Sequence, residues 1–166
     1  MKKLFVGVLC VALSLSVQGK EVNMTSPDGK YQFTLSDSGG QLHYSLTWNG
    51  KQTVKPSLLG INANVEWRDG VEIGTVDSSR KDTIWHPVYG ERSEIKDCYH
   101  AWKIVVNRQN GRDKLILDVR AYDEGIAFRY HFPGGQYLKI TDEYTEYTMP
   151  EGTKAYFTPK AQTPYS

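Results

Sequence analysis

The chain has 166 residues, 39% of them hydrophobic, with 20 basic and 19 acidic side chains and a formal net charge of +1. That balance offers neither nucleic acid nor an anionic membrane an attractive surface. Its two cysteines, Cys10 and Cys98, show no spacing of a disulfide framework, zinc site or redox motif.

The chain opens Met1-Lys2-Lys3 and runs through the apolar residues 4–15, too short for a membrane span of about 20 residues. Val17 and Gly19 stand at the −3 and −1 positions of a cleavage site. Residues 1–19 are therefore expected to be a secretory signal peptide, placing the mature protein in the periplasm or outside the cell. A lipoprotein reading through Cys10 fails, because Leu9 stands where a small residue is needed. Without Lys2 and Lys3 the acids lead by one. The remaining 20–166 can bury roughly two-thirds of their surface, enough to fold without staples. Cys98 is expected to be a small buried hydrophobe.

From here the pattern is β almost throughout. Tyr31-Gln32-Phe33-Thr34-Leu35 alternates apolar with polar, and Asp37-Ser38-Gly39-Gly40 turns the chain. Leu42 to Trp48 alternates again. Asn49-Gly50 follows, a hairpin signal because both residues tolerate positive φ. Ile61 to Trp67 gives a strand closed by Asp69-Gly70. Residues 78–99 are polar, hold Pro87 and Gly90, and lack alternation. They are expected to form a long ordered connection of the kind that often carries function. Ala101 to Asn107, Leu115 to Tyr122 and Ile126 to Phe132 are three further strands, separated by Asn110-Gly111 and Asp123-Glu124-Gly125 and ended by Pro133-Gly134-Gly135. No segment has an apolar stripe of helical period and length. Short strands joined by hairpin turns predict an antiparallel sandwich or barrel. The last residues, 158–166, contain no closing strand, so the chain is expected to be a fragment of something longer.

The residues that could carry chemistry concentrate in 85–97. Trp85, His86, Tyr89, Glu91, Arg92 and Glu94 combine rings with charges, as a sugar site does when it packs C–H faces on rings and hydrogen-bonds hydroxyls. The competing reading makes Trp85 and Tyr89 anchors of the loop and the charges ion pairs of small worth. Glycoside hydrolysis needs two carboxylates. Glu91/Glu94, Asp123/Glu124 and Asp142/Glu143/Glu146 are available, but Asp123 suits a turn, and Asp142, Glu143 and Glu146 alternate with Tyr144 and Tyr147 like the wet side of a strand. No pair has the context of a catalytic one. His43, His86, His100 and His131 show no metal-ligand spacing, and no nucleophile elbow, phosphate loop or dinucleotide fingerprint is present.

Longer motifs then fall in order: Ser26-Pro27-Asp28-Gly29-Lys30, Pro56-Ser57-Leu58-Leu59-Gly60, Trp85-His86-Pro87-Val88-Tyr89-Gly90-Glu91-Arg92-Ser93-Glu94, and Tyr122-Asp123-Glu124-Gly125-Ile126-Ala127-Phe128-Arg129-Tyr130-His131-Phe132-Pro133. Across residues 21–166 this series resembles the N-terminal domain of glycoside hydrolase family 97, the α-glucosidases and α-galactosidases of Bacteroidetes type. The resemblance implies a large antiparallel β-sandwich of galactose-mutarotase type, here incomplete at its C-terminus, with sheet edges left unpaired. It implies a catalytic (β/α)8 barrel in the same polypeptide as partner, sharing an oligosaccharide substrate with it, and calcium in the parent enzyme. Residues 160–166 hold no acidic side chain, so no calcium ligand carries over and this chain has no cofactor of its own. The expected role is structural: packing on the barrel and bordering the sugar site, through the loop from Trp85 to Asp97. The alternative is a stand-alone carbohydrate-binding module presenting Trp48, Trp67, Trp85 or Trp102, with Trp67 and Trp102 better placed for the core. A third reading, a free-standing hydrolase, needs a site that these motifs do not show.

Overall fold

The computed structural model describes residues 19–109, 111, 113–134 and 137–158. The expected signal peptide, apart from Gly19, lies outside them, as do the turn residues Asn110 and Gly135 and the acid-free stretch at 160–166.

Eleven strands are described: β1 (Glu21–Thr25), β2 (Tyr31–Ser36), β3 (Leu42–Trp48), β4 (Lys51–Leu59), β5 (Ile61–Ala63), β6 (Val65–Glu66), β7 (Val71–Trp85), β8 (Ile95–Arg108), β9 (Lys114–Tyr122), β10 (Gly125–His131) and β11 (Ile140–Glu143). They form two four-stranded antiparallel sheets, β1-β2-β3-β4 and β10-β9-β8-β7, and a small sheet β11-β5-β6. The one helical element among the described residues is a short 3₁₀ turn at Ser38–Gly40. The expected strands are present except that Ile61 to Trp67 is not one strand: the chain reverses at Asn64, whose φ is positive (61°), into β5 and β6, which pair antiparallel. Asn49 and Gly50 both have positive φ (48° and 73°), as their hairpin requires.

The core lies between the two large sheets. Met24, Phe33, Leu35 and Leu42 from the first meet Ile104, Val106, Leu115, Leu117 and Val119 from the second, all essentially inaccessible to water. The period of two does this: β9 buries Leu115, Leu117, Val119 and Ala121 and turns Asp118 and Arg120 outward. Trp67 is buried, and Trp102 packs half-buried against the core, as expected of both. Cys98 is half-buried on β8 rather than fully enclosed.

Residues 78–99 correct the expectation of a long connection. β7 and β8 pair continuously from Ser78↔Trp102 outward to Trp85↔Ile95, so most of the stretch is a hairpin arm. β9 accompanies β8 only from Asn107 to His100. Beyond that point the arm is two strands wide, and β7 is exposed from Asp77 to Trp85. Alternation is a signature of one buried face, and this part of the arm has none.

The edge of β4 is covered. Residues 139–148 run beside the β4–β5 corner, where Tyr144, Glu146 and Thr148 bond Gly60, Leu58 and Lys55 through their backbones at 2.8–2.9 Å. Tyr44 Oη donates to the Glu146 carbonyl at 2.7 Å, fastening the segment to the first sheet. At the opposite end, the Asp28 N–H donates to Asp123 Oδ1 at 2.9 Å. That bond ties the β1–β2 turn to the β9–β10 turn, and with it one sheet to the other.

Candidate functional site

The expected site residues occupy the tip of the β7–β8 arm. Trp85 ends β7, and residues 86–94 form the loop, across which His86 Nδ1 lies 3.0 Å from the Ser93 carbonyl. The loop is not anchored by its rings: Tyr89 is 91% exposed and Trp85 50%, with Ile84 and Val88 exposed beside them. Glu91, Arg92 and Glu94 are exposed and make no ion pair among the described residues. The tip thus presents four large apolar side chains, Ile84, Trp85, Val88 and Tyr89, close in sequence to Glu91, Arg92 and Glu94. Each such side chain gains roughly 1.5–3 kcal/mol on full burial.

A second constellation, which the sequence reading did not assemble, lies on the outer face of the sheet β10-β9-β8-β7. The register places Asp77, Lys103, Asp118 and Arg129 in one row across four strands. Arg129 Nε donates to Asp118 Oδ2 at 2.9 Å, and His131 Nδ1 stands 3.7 Å from the same oxygen. Beside the row, Tyr99 is 8% exposed although it points away from the core. Its cover is cationic: the Arg120 guanidinium sits 4.7 Å and Lys81 Nζ 5.8 Å from the ring centroid, with the Tyr122 ring at 4.9 Å. Lys81 bonds Asp97 at 2.6 Å, which raises the pKa of its ammonium. The hydrogen bond with Tyr122 raises that of Arg120. Asp77, Lys81, Tyr99, Lys103, Asp118 and Arg120 line a cleft of about 590 Å³, together with Arg129 and His131. Its residues come from four strands, so a one-dimensional reading sees them only as the polar half of each alternation.

A third feature is apolar. Phe33, Tyr44, Leu46, Phe128, Tyr130 and Tyr147 line a cleft of about 410 Å³ between β10 and the segment that covers β4. The Tyr130 hydroxyl lies 3.0 Å from Thr145 Oγ1, and burial pushes its pKa up to about 12. Burial raises that of Tyr44 as well.

The remaining sequence candidates stay apart. Asp123 is engaged by the Asp28 backbone, and Asp142 and Glu143 are exposed on β11. Among the described residues no three His, Cys, Asp or Glu side chains converge on a cation site, so these residues do not by themselves compose the calcium site that the resemblance implies for the parent. No helix among them is long and apolar enough to cross a membrane. The four tryptophans do not share a face: two are in or against the core, Trp48 sits at the β3–β4 turn of one sheet, and Trp85 at the arm tip of the other.

These features define the class: an antiparallel β-sandwich domain with a projecting hairpin arm. Residues 24–166 match the family described as Glycosyl-hydrolase 97 N-terminal, and the chain belongs to it. It is 30% identical over 159 residues to a retaining alpha-galactosidase of Bacteroides thetaiotaomicron, covering 93% of this chain and 23% of that enzyme. Its fold matches a glycoside hydrolase family 97 enzyme of Pseudoalteromonas sp. strain K8, solved with acarbose, at a TM-score of 0.72 and 24% identity, covering 78% of this chain and 20% of that one. A beta-arabinopyranosidase matches at the same TM-score with 25% identity, covering 78% and 21%. The chain therefore spans between a fifth and a quarter of the length of these relatives.

Proposed function

We propose that this chain is the non-catalytic N-terminal domain of an exported α-glycosidase that hydrolyses terminal α-linked glucose or galactose, and that it packs on a catalytic barrel carried by the same polypeptide. The observation that carries this reading is the family match over nearly the whole chain, in relatives more than four times as long. The signal-peptide pattern of residues 1–19 supports export to the periplasm or beyond. The arm tip supplies the docking surface: Ile84, Trp85, Val88 and Tyr89 are buried against the barrel, and Glu91, Arg92 and Glu94 pair with charges at the rim beside the sugar site. Calcium in the parent takes its ligands from outside the described residues.

The test compares the chain with the full-length protein on aryl α-glucosides and aryl α-galactosides. Activity confined to the full-length protein is expected. Hydrolysis by the chain alone would overturn the assignment.

A further inference from the structure

We propose that the outer cleft of the sheet β10-β9-β8-β7 is a binding site for a carboxylate-bearing sugar, a hexuronate or a glycan ending in one, with Arg120 as the carboxylate receptor. Four cations face this cleft: Lys81, Lys103, Arg120 and Arg129. Two are already engaged, Lys81 with Asp97 and Arg129 with Asp118. Arg120 pairs with no carboxylate among the described residues. Its guanidinium lies over the Tyr99 ring and hydrogen-bonds Tyr122, which together hold it while leaving the rest of its five donors for a carboxylate. A planar, pre-oriented guanidinium binds a carboxylate with two parallel hydrogen bonds, the geometry that separates an acid from an alcohol.

The rest of the cleft suits hydroxyls. Asp77 and Asp118 accept, Lys103 donates, and Ser79 does both, all within the same lining. This mixture decides against an acidic protein surface, whose several carboxylates would face Asp77, Asp97 and Asp118 as well as the cations. A single anion on a ring of hydroxyls meets no such opposition. The volume fits too, since small-molecule sites measure about 300–1,000 Å³. The Tyr99 ring does not act as a stacking platform, because Arg120 and Lys81 already cover it. Recognition rests on the charged fork, so neutral sugars are excluded by the loss of two charge-assisted bonds. The lining ends at Lys81 on β7 and Tyr99 on β8 and includes none of the residues of the arm tip.

The test is calorimetric titration of the full-length protein with digalacturonate and, separately, with neutral galactobiose. Digalacturonate is expected to bind and to weaken as salt is raised. Arg120→Gln should lower its affinity by ten-fold to a hundred-fold, the worth of a lost charge-assisted hydrogen bond. Arg120→Lys should fall between, keeping the charge and losing the fork. Galactobiose affinity and hydrolysis of aryl α-glycosides should not change in either variant, which separates this inference from the assignment of the parent enzyme. Equal digalacturonate binding by wild type and Arg120→Gln would overturn it, as would no binding at concentrations up to ~50 mM. Displacement by polyglutamate with no response to digalacturonate would make the cleft a protein-docking surface instead. A shared fall in unfolding temperature and in galactobiose binding would report a folding defect, in which case Arg120→Lys, which keeps the charge and most of the packing, must show the selective loss for the inference to stand.

Discussion

The two halves of the β7–β8 hairpin are one continuous ladder with opposite surroundings. Near its base, Val71 and Ile73 on β7 and Ile104 and Val106 on β8 face the first sheet and are nearly or fully buried. Toward its tip the same ladder continues from Ser78↔Trp102 to Trp85↔Ile95 with β7 exposed throughout. The base is held by burial of apolar surface, the tip chiefly by backbone hydrogen bonds. An isolated two-stranded ribbon is marginal in water, so the arm depends on its root for register, and it leaves Trp85 and Tyr89 exposed. One half of the hairpin builds the domain and the other is available to function.

The sharpest way to break this comparison is to cut a large side chain from each half. Ile104 of β8 is fully buried at the base of the hairpin. Ile104→Ala should cost roughly 2–5 kcal/mol, from lost transfer energy and the cavity left behind. Ile84→Ala, at a position 60% exposed near the tip, should stay within about 0.5 kcal/mol. Urea unfolding of the chain measures both. Similar losses at the two sites would show that the tip is packed like the base.

The next effect belongs to pH. Tyr130 lines the apolar cleft, and burial raises its pKa from about 10 to about 12. Below pH 10 the hydroxyl is protonated in both folded and unfolded chains, and its contribution is fully present. Between pH 10 and 12 the unfolded chain releases the proton first, so stability falls as pH rises and is lost above 12. Two pKa units correspond to roughly 2–3 kcal/mol. Tyr130→Phe should remove this part of the alkaline decline, measured as unfolding midpoint against pH. An unchanged decline in the variant would place its cause elsewhere.

The division between base and tip also sets how much the sequence reveals. β2, β3, β9 and β10 are legible because each shows one face to the core, and Asn49-Gly50 because its turn demands positive φ. β4 is hidden by Pro56, which lacks a donor for the ladder. The structure places it opposite the shift between Tyr44↔Ser57 and Leu46↔Val54, a bulge where that donor is not required. The far half of β7 is hidden because a strand exposed on both faces has no apolar period. At the candidate sites the same logic holds. Trp85 to Glu94 stand out because they are contiguous, while Lys103, Asp118, Arg120 and Arg129 become neighbours only through the register of three strands.

A smaller loss is expected where the two sheets are tied at their ends. Ser26 is 1% exposed, and its hydroxyl donates to Asp28 Oδ1 at 2.6 Å while accepting from the Tyr31 N–H at 3.0 Å. Ser26→Ala should cost about 1–3 kcal/mol, since a buried backbone donor loses its partner. The same hydroxyl is the main reason that the Asp28 carboxyl titrates well below its ordinary range, followed by the Lys30 side chain. A depressed carboxyl stabilises the fold above the ordinary carboxylate pKa and ceases to as pH falls through that value toward its own. Asp28→Asn should therefore flatten the acid limb of the stability profile, and an unaltered acid limb would assign it to other carboxylates.

The smallest effect on the chain should be the most informative about the whole protein. Trp85→Ala with Tyr89→Ala removes two exposed rings from the arm tip, and unfolding of the chain should change by no more than about 0.5 kcal/mol. In the full-length protein the same pair is proposed to lie against the barrel, where truncating buried aromatic anchors costs about 2 kcal/mol or more. Differential scanning calorimetry should then show the domain unfolding earlier and separately from the barrel, and limited proteolysis should cut between them sooner. An equal, negligible change in both contexts would leave the tip in water in the parent as well. The docking surface would then have to be sought elsewhere on the sandwich, first at the apolar cleft of Phe128, Tyr130 and Tyr147, where core side chains also reach the surface.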